Sequence, residues 1–440
     1  MLKASPATAT DRRTSFPFES LQFLPCSDSA ALEQAWRNSH PEWGTDFSED
    51  AWIQMGREML ASDLAAEPGW YQLFVVTSRD DPEQNMLSSC AIHLVDAIVG
   101  EPSLPLTNGS EGTEKKGEAT KAVAAVKDVK CATAVRVVTP ACYRGYGYGG
   151  WMMKQLWKYL EKRPDIQLSN FDVGDFYTKK GGWRWFRSDI LRIPVNEFEA
   201  LAGAAAGGAT ATEDRQRVVP ITDNLLDHVI EHDAAVARQE IEARCSTTAT
   251  DSKSTKTVVV AIRPHTRIIR WQRLRKEYDL ALMKRRGLLD ENVQLGAHGS
   301  MIPLSSSSLS SSSSSSTSSN TTMATKPLQP LNHILWCQDI ADRRFRIHRF
   351  CHGTREDSAQ DRAEAMALLQ AAVDDAKRLG VATLEIWNPH PTLEIWLGLQ
   401  AVERKIPLSN LGLCLGPLDV EGHSASWDIE WIRNEFYACL

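Results

Sequence analysis

Between an apolar, β-branched run at residues 131–139 and a helical pattern at 151–161 lies the turn Arg144-Gly145-Tyr146-Gly147-Tyr148-Gly149, with Gly150 behind it. A chain that passes through so glycine-dense a turn is confined to a strand–turn–helix unit. Such a turn lets backbone N–H groups converge on an anion, and the helix N-terminus adds its partial positive charge. Side chains at these positions would hold phosphate oxygens away from the amides, which is the physical reason for glycine here. A phosphorylated ligand is the expectation.

The 440 residues suffice for two or three ordinary domains. A net charge of −7 excludes nucleic-acid binding through bulk charge. Nine scattered cysteines with no CxxC pair read as reduced thiols, consistent with a cytoplasmic protein. No apolar run approaches the length of a membrane span, so neither a membrane nor a nucleic acid is an expected partner. Residues 1–16 read as a disordered tail.

Three biased segments divide the rest. Residues 107–130, rich in Gly, Glu, Lys and Ala, read as a loop inserted between strands. The Ala/Gly run within 202–216 reads as a linker between a domain at 17–201 and another at 217–440. The serine tract at 305–322, inside an insert at 303–326, has nothing to bury and should be disordered. Within 17–201 the pattern gives a strand at 21–24, helices near 30–37 and 49–61, strands at 71–76, 88–95, 133–139 and 166–173, and a short helix near 175–180. Residues 217–286 read as largely helical. After the serine tract the order is β-β-α-β, with strands at 333–336, 345–350 and 381–387 and a helix at 357–379 closed by Gly380.

Two phosphate frames compete at the turn. Gly145-x-Gly147-x-x-Gly150 satisfies the dinucleotide fingerprint, which wants an acid ending the next strand about 20 residues on. Asp165 precedes that strand and Asp172 lies further away, so the frame fits poorly. The other frame is Val138-Thr139-Pro140 followed by Arg144-x-x-Gly147-x-Gly149. About 30 residues later come Phe176-Tyr177-Thr178-Lys179-Lys180-Gly181-Gly182-Trp183. These two elements, in this order, resemble the acetyl-CoA signature of the GNAT acetyltransferases. One extra glycine ahead of Trp183 departs from that family's pattern. With Asp172-Val173-Gly174-Asp175, and with Trp271, Glu277, Gly296-Ala297, residues 384–389 and residues 431–435, the chain is similar to fungal lysine acetyltransferases that act on the free amino acid.

The resemblance implies an α+β fold of three αβα layers, then a helical region and a degenerate GNAT-like C-terminal half. It implies acetyl-CoA as acetyl donor and a small-molecule amine, L-lysine, as acceptor. A protein or polyamine acetyltransferase on the same fold is the alternative, and a non-catalytic coenzyme A-binding or scaffold protein the alternative of another class. Carried over by residue, an amide near Val138 or Thr139 holds the acetyl carbonyl, Arg144, Gly145, Tyr146, Gly147, Tyr148 and Gly149 hold the pyrophosphate, and Tyr177 protonates the sulfur. Asp172 and Asp175 are candidates to bind the substrate ammonium, although Asp175 also suits a helix N-terminus. Cys337, His348, Cys351 and His352 crowd two strands without any standard ligand spacing, so no metal is expected.

Overall fold

In chain order the elements are β1 (Leu21–Cys26), α1 (Ser29–Trp43), α2 (Glu49–Ala61), β2 (Tyr71–Ser78), β3 (Ser88–Glu101), β4 (Ala125–Val138), α3 (Tyr148–Leu160), β5 (Ile166–Phe171), β6 (Arg184–Phe186), β7 (Asp189–Pro194) and α4 (Phe198–Ala206). Then follow β8 (Val219–Pro220), α5 (Asp223–Thr248), β9 (Thr257–Ile262), α6 (Thr266–Arg285), β10 (Gly299–Met301), β11 (His333–Asp339) and β12 (Arg344–Cys351). The last are α7 (Ala359–Arg378), β13 (Thr383–Trp387), α8 (Pro391–Leu397), β14 (Val402–Glu403), β15 (Ser409–Leu413) and β16 (Asp428–Trp431). The computed structural model describes residues 15–80, 86–101, 125–171, 183–206, 217–248, 257–303, 331–340, 343–351, 359–403, 409–413 and 428–434.

Two compact units divide the chain. The first comprises Met1–Val95, Lys130–Phe186 and Ile406–Pro417; the second holds the remainder. In the first, strands run in the order β1-β2-β3-β4-β5-β15-β6. β1, β2 and β3 pair antiparallel, whereas β4 and β5 are parallel because α3 crosses between them. Met152, Met153, Leu156 and Leu160 of α3 recur at helical spacing and are wholly buried against Phe74, Ile92 and Ala134. The other face carries Leu73, Val75 and Ala91, on which Leu32 and Ala35 of α1 pack. Asp28 and Ser48 cap α1 and α2, their side chains accepting from the N–H groups of Ala30 and Ala51. Helices thus cover both faces, and the expected three-layer α+β fold is present.

In the second unit the order is β14-β7-β13-β12-β11-β10-β8. β11 and β12 pair antiparallel, and α7 crosses from β12 to the parallel β13. The β-β-α-β order read from the sequence is therefore present, with Met366, Leu369 and Val373 on the buried side of α7. Gly380 closes that helix at φ +67°. β9 pairs with β16 and with Ala97–Gly100 at the end of β3, and α5 covers it through Ala237, Ile241 and Cys245.

Several boundaries differ from the sequence reading. β4 begins at Ala125, so residues 125–130 are strand and not loop. Lys127 and Asp128 pair with Glu101 and Arg238, while Val129 turns inward, a polar alternation that composition alone reads as coil. The sequence puts β7 in the N-terminal domain, but it pairs with β13, which moves the boundary from 201 to Phe186/Arg187. Residues 202–206 of the expected linker are helical, since alanine favours helix, and 207–216 lie outside the described residues. The region 217–286 carries β8 and the apolar β9 between its helices. Phe16 is tied down: its N–H donates to the Tyr148 hydroxyl at 2.7 Å. Residues 1–14 and the serine insert at 304–326 lie outside the described residues.

Candidate active site

The first unit builds the glycine turn at the end of β4. Ser88 fixes the strand end, its hydroxyl donating to Val138 O at 2.9 Å and lying 3.0 Å from Thr139 Oγ1. A 3-10 turn, Ala141–Tyr143, leads into Arg144. Gly145 and Gly147 then adopt φ +86° and +87°, a region that costs an L-residue about 1–2 kcal/mol. Gly147 is the N-cap of α3, with no side-chain cap and no acidic residue in the first helical turn. The first intrahelical donor is Trp151, bonded to Gly147 O at 3.0 Å. The amides of Tyr148, Gly149 and Gly150 therefore have no acceptor within the helix, and no acidic side chain of the helix's own first turn offsets the positive end of its dipole.

These residues fit a diphosphate. A Cβ at Gly145 would meet nothing within 4 Å, so the turn is open to a bulky anion. The side chains of the motif do different work from its backbone. Tyr148 is buried against Phe18, Tyr143 and Tyr146, which leaves only its amide for a ligand. Tyr146 is exposed. Arg144 folds back on the protein, where its Nε donates to Thr139 O at 3.0 Å and its Nη2 pairs with Glu42. Trp183 is a core residue: its indole donates to Ser169 Oγ at 2.7 Å and packs edge-on against Trp157. Asp172, Asp175, Phe176 and Tyr177 lie outside the described residues.

Parallel register between β4 and β5 ends at Thr133↔Asn170, whereas β4 runs on to Val138. Beyond that point the strand changes phase. Ala132 and Ala134 face α3, and strict alternation would turn Arg136 the same way. Arg136 instead has φ +51°, and Val137 takes the α3 face in its place. This single-residue bulge sets Arg136 beside Val135 on the α1/α2 face. Its guanidinium lies over Trp52 of α2 at 5.6 Å. Tyr71 and His93, directly opposite on β2 and β3, complete the group, with ring centroids 5.1 Å apart. His93 is buried, and desolvation, reinforced by Arg136, pushes its pKa down to about 3. Burial raises the Tyr71 phenol, although Arg136 opposes it.

Sequence reasoning missed Ser88, Glu42, Trp52, Tyr71, His93 and Arg136. A signal existed for Arg136 alone: a charge at the inward parity of an apolar strand marks a bulge.

In the second unit, Cys351 stands beside His333 and Asp233, their ligand atoms within 4.8 Å, whereas Cys337 pairs with Arg346 further along the strands. His352 lies outside the described residues. The chemistry of this cluster opposes a cation. Arg349 grips Asp233 through Nε and Nη2 at 3.0 and 2.9 Å, and Arg433 adds a contact at 2.7 Å. Arg433 also bonds Glu240 at 3.0 Å, Glu240 pairs with Arg244, and Arg244 with Glu430. Three arginines and three acids alternate, binding the C-terminal segment to α5. Burial pushes the Asp233 carboxyl up, but the guanidiniums of Arg349 and Arg433 outweigh it and hold the group well below the usual range.

The family described as the LYC1 GNAT-like C-terminal domain matches residues 205–440. The chain belongs to this family, and with it to the GNAT N-acetyltransferases. Among solved structures, it is similar to a GCN5-related N-acetyltransferase from Kribbella flavida, with 12% identity over 90% of this chain and 72% of that one, at a TM-score of 0.41. A GCN5-related N-acetyltransferase from Anabaena variabilis ATCC 29413 matches at 12% identity over 90% and 73%, with a TM-score of 0.46. Saccharomyces cerevisiae N-myristoyltransferase matches at 8% identity over 91% and 81%, with a TM-score of 0.40. No curated protein matches the sequence. Among the described residues, no helix is long and apolar enough to cross a membrane.

Proposed function

We propose that the protein transfers the acetyl group of acetyl-CoA to the side-chain amine of free L-lysine. The observation that carries the reading is the uncapped N-terminus of α3 behind two left-handed glycines at the end of β4. The amides of Tyr148, Gly149 and Gly150 would hold the pyrophosphate. Acetyl-CoA supplies an activated thioester. The protein must offer an N–H where negative charge develops on the carbonyl oxygen, and the end of β4 at Val138 and Thr139 is the proposed donor. Ser88 and Arg144, bonded to the carbonyls of these two residues, keep that strand end in place.

The acceptor amine must lose a proton before it attacks, since a lysine side chain has a pKa of about 10.4 and arrives as the ammonium. Tyr177 is proposed to protonate the departing sulfur, a role suited to a phenol that is a donor at working pH. Asp172 and Asp175 are proposed to draw the ammonium in. The lysine acceptor itself rests on the likeness of residues 172–177 and 384–389 to the fungal lysine enzymes.

The test is thiol release from acetyl-CoA with a panel of free amino acids, polyamines and histone peptides. Lysine should be preferred. Activity on peptides or polyamines with none on lysine would overturn the acceptor, and no thiol release with any amine would overturn the transferase reading.

A further inference from the structure

We propose that the segment ahead of β1 is a strap that positions the anion turn: Phe16 holds the hydroxyl of Tyr148 and so steadies the uncapped start of α3 without occupying its amides. The inference rests on the coenzyme A reading above and names the Tyr148 hydroxyl and the Phe16 backbone as positioning groups for that site.

Two demands oppose each other at the start of α3. A serine or aspartate at the N-cap would stabilise the first turn by accepting from its N–H groups, as Asp28 and Ser48 do for α1 and α2. At α3 the same bond would occupy amides that a diphosphate needs. Gly147 offers no such side chain, and Gly145, Gly147, Gly149 and Gly150 bring backbone freedom that opposes an ordered turn. A hold on a side chain orders the turn and leaves every backbone donor in place.

Tyr148, the first residue of α3, is held in this way. Its ring is buried, and its hydroxyl accepts from the Phe16 N–H at 2.7 Å and donates to Phe16 O at 3.3 Å. The partners are 132 positions apart, so the tie fixes the turn to a separate stretch of chain. Phe18 stands edge-on to the same ring, centroids 6.3 Å apart, with its Cζ 3.3 Å from where a Cβ of Gly147 would lie. The segment thus touches both residues that open the helix. It is itself anchored. Phe16 packs on the core that Tyr148, Met152 and Leu156 share, and Pro17 restricts the backbone that follows. The N–H and hydroxyl of Ser20 donate to Pro17 O at 3.0 and 2.9 Å, and the Arg79 N–H donates to Ser20 O at 2.7 Å. These bonds join the strap to the β1–β2 ladder.

The test is Tyr148→Phe, which keeps the ring and removes only the hydroxyl. Calorimetry with coenzyme A should show affinity reduced about 2- to 12-fold, the worth of one hydrogen bond between neutral groups. The KM for acetyl-CoA should rise more than kcat falls. In the ligand-free protein, the Trp151 amide, bonded to Gly147 O, should exchange with solvent faster by a similar factor, while that of Leu156, deeper in α3, keeps its rate. Tyr159→Phe is the control. It removes a hydroxyl that accepts from Arg163 at 3.0 Å at the other end of the same helix, and it should bind coenzyme A like wild type. Unchanged coenzyme A affinity or unchanged Trp151 exchange in Tyr148→Phe would overturn the inference. So would an equal loss of affinity in Tyr159→Phe, or equal acceleration at Leu156, since either marks a general loosening of the helix. If the wild type binds no coenzyme A, the cofactor reading fails. Exchange then still decides whether the strap holds the turn: acceleration confined to Trp151 supports it, and an unchanged rate overturns it.

Discussion

Replacing Gly147 by alanine strains the anion turn by an amount the geometry fixes. At φ +87° the new Cβ costs about 1–2 kcal/mol of backbone energy. It also stands 3.3 Å from Phe18 Cζ. Phe18 is 46% exposed and can swing aside, so this contact adds little. The predicted loss of stability is the backbone cost alone, a fall of a few degrees in melting temperature. Ligand binding should suffer more, because the methyl group intrudes where phosphate oxygens meet the amides. Loss of one hydrogen bond to a charged group, about 1.5–3 kcal/mol, weakens binding about 10- to 150-fold. Calorimetry with coenzyme A measures this directly. Gly398→Ala is the control, since Gly398 has φ +62°, ends α8 in the second unit, and a Cβ there would meet nothing within 4 Å. Both variants should melt earlier, and only Gly147→Ala should bind coenzyme A poorly. If Gly147→Ala melts like Gly398→Ala and binds like wild type, the turn is not the phosphate cradle.

Three further predictions concern Tyr177, by its proposed role, and two buried groups of the structure. Tyr177→Phe should lower turnover more than coenzyme A affinity, and steady-state kinetics showing unchanged turnover would remove Tyr177 from the chemistry. Asp233→Asn leaves the buried Arg349 and Arg433 without their carboxylate and should destabilise the protein by about 3–5 kcal/mol, read from the urea midpoint; an unshifted midpoint would show that the pair is not coupled. Burial pushes His93 and His348 down to about 3 and His333 to about 4. Below about pH 6.5 the unfolded chain binds protons that the folded chain refuses, so stability should fall by on the order of several kcal/mol between pH 6.5 and 4. Equilibrium unfolding that is flat across this window would contradict the burial of all three.

Much of the fold was legible because hydrophobic period reports local structure. The short apolar runs within 71–76 and 88–95 and the i, i+1, i+4 and i+8 set on α3 give strands and a helix whatever surrounds them. Polar strands were less legible. Residues 125–130 look like coil because their partners, Glu101 and Arg238, are distant in sequence. The short β7 reads as a strand, but its pairing with β13 depends on residues nearly 200 positions away.

The candidate site divides along the same line. The sequence by itself determined the glycine turn, because conformations open only to glycine leave a mark in the residue types. It likewise determined the strand before the turn and the helix behind it. Only the tertiary structure decided that Arg144 folds onto Glu42, that Ser88 pins the strand end, and that a bulge carries Arg136 across the sheet to Trp52, Tyr71 and His93. Those contacts join four separate stretches of chain, and nothing local in any one of them encodes the others. A motif records what one stretch of backbone must do, whereas the surroundings of the strand before it are made by packing between stretches.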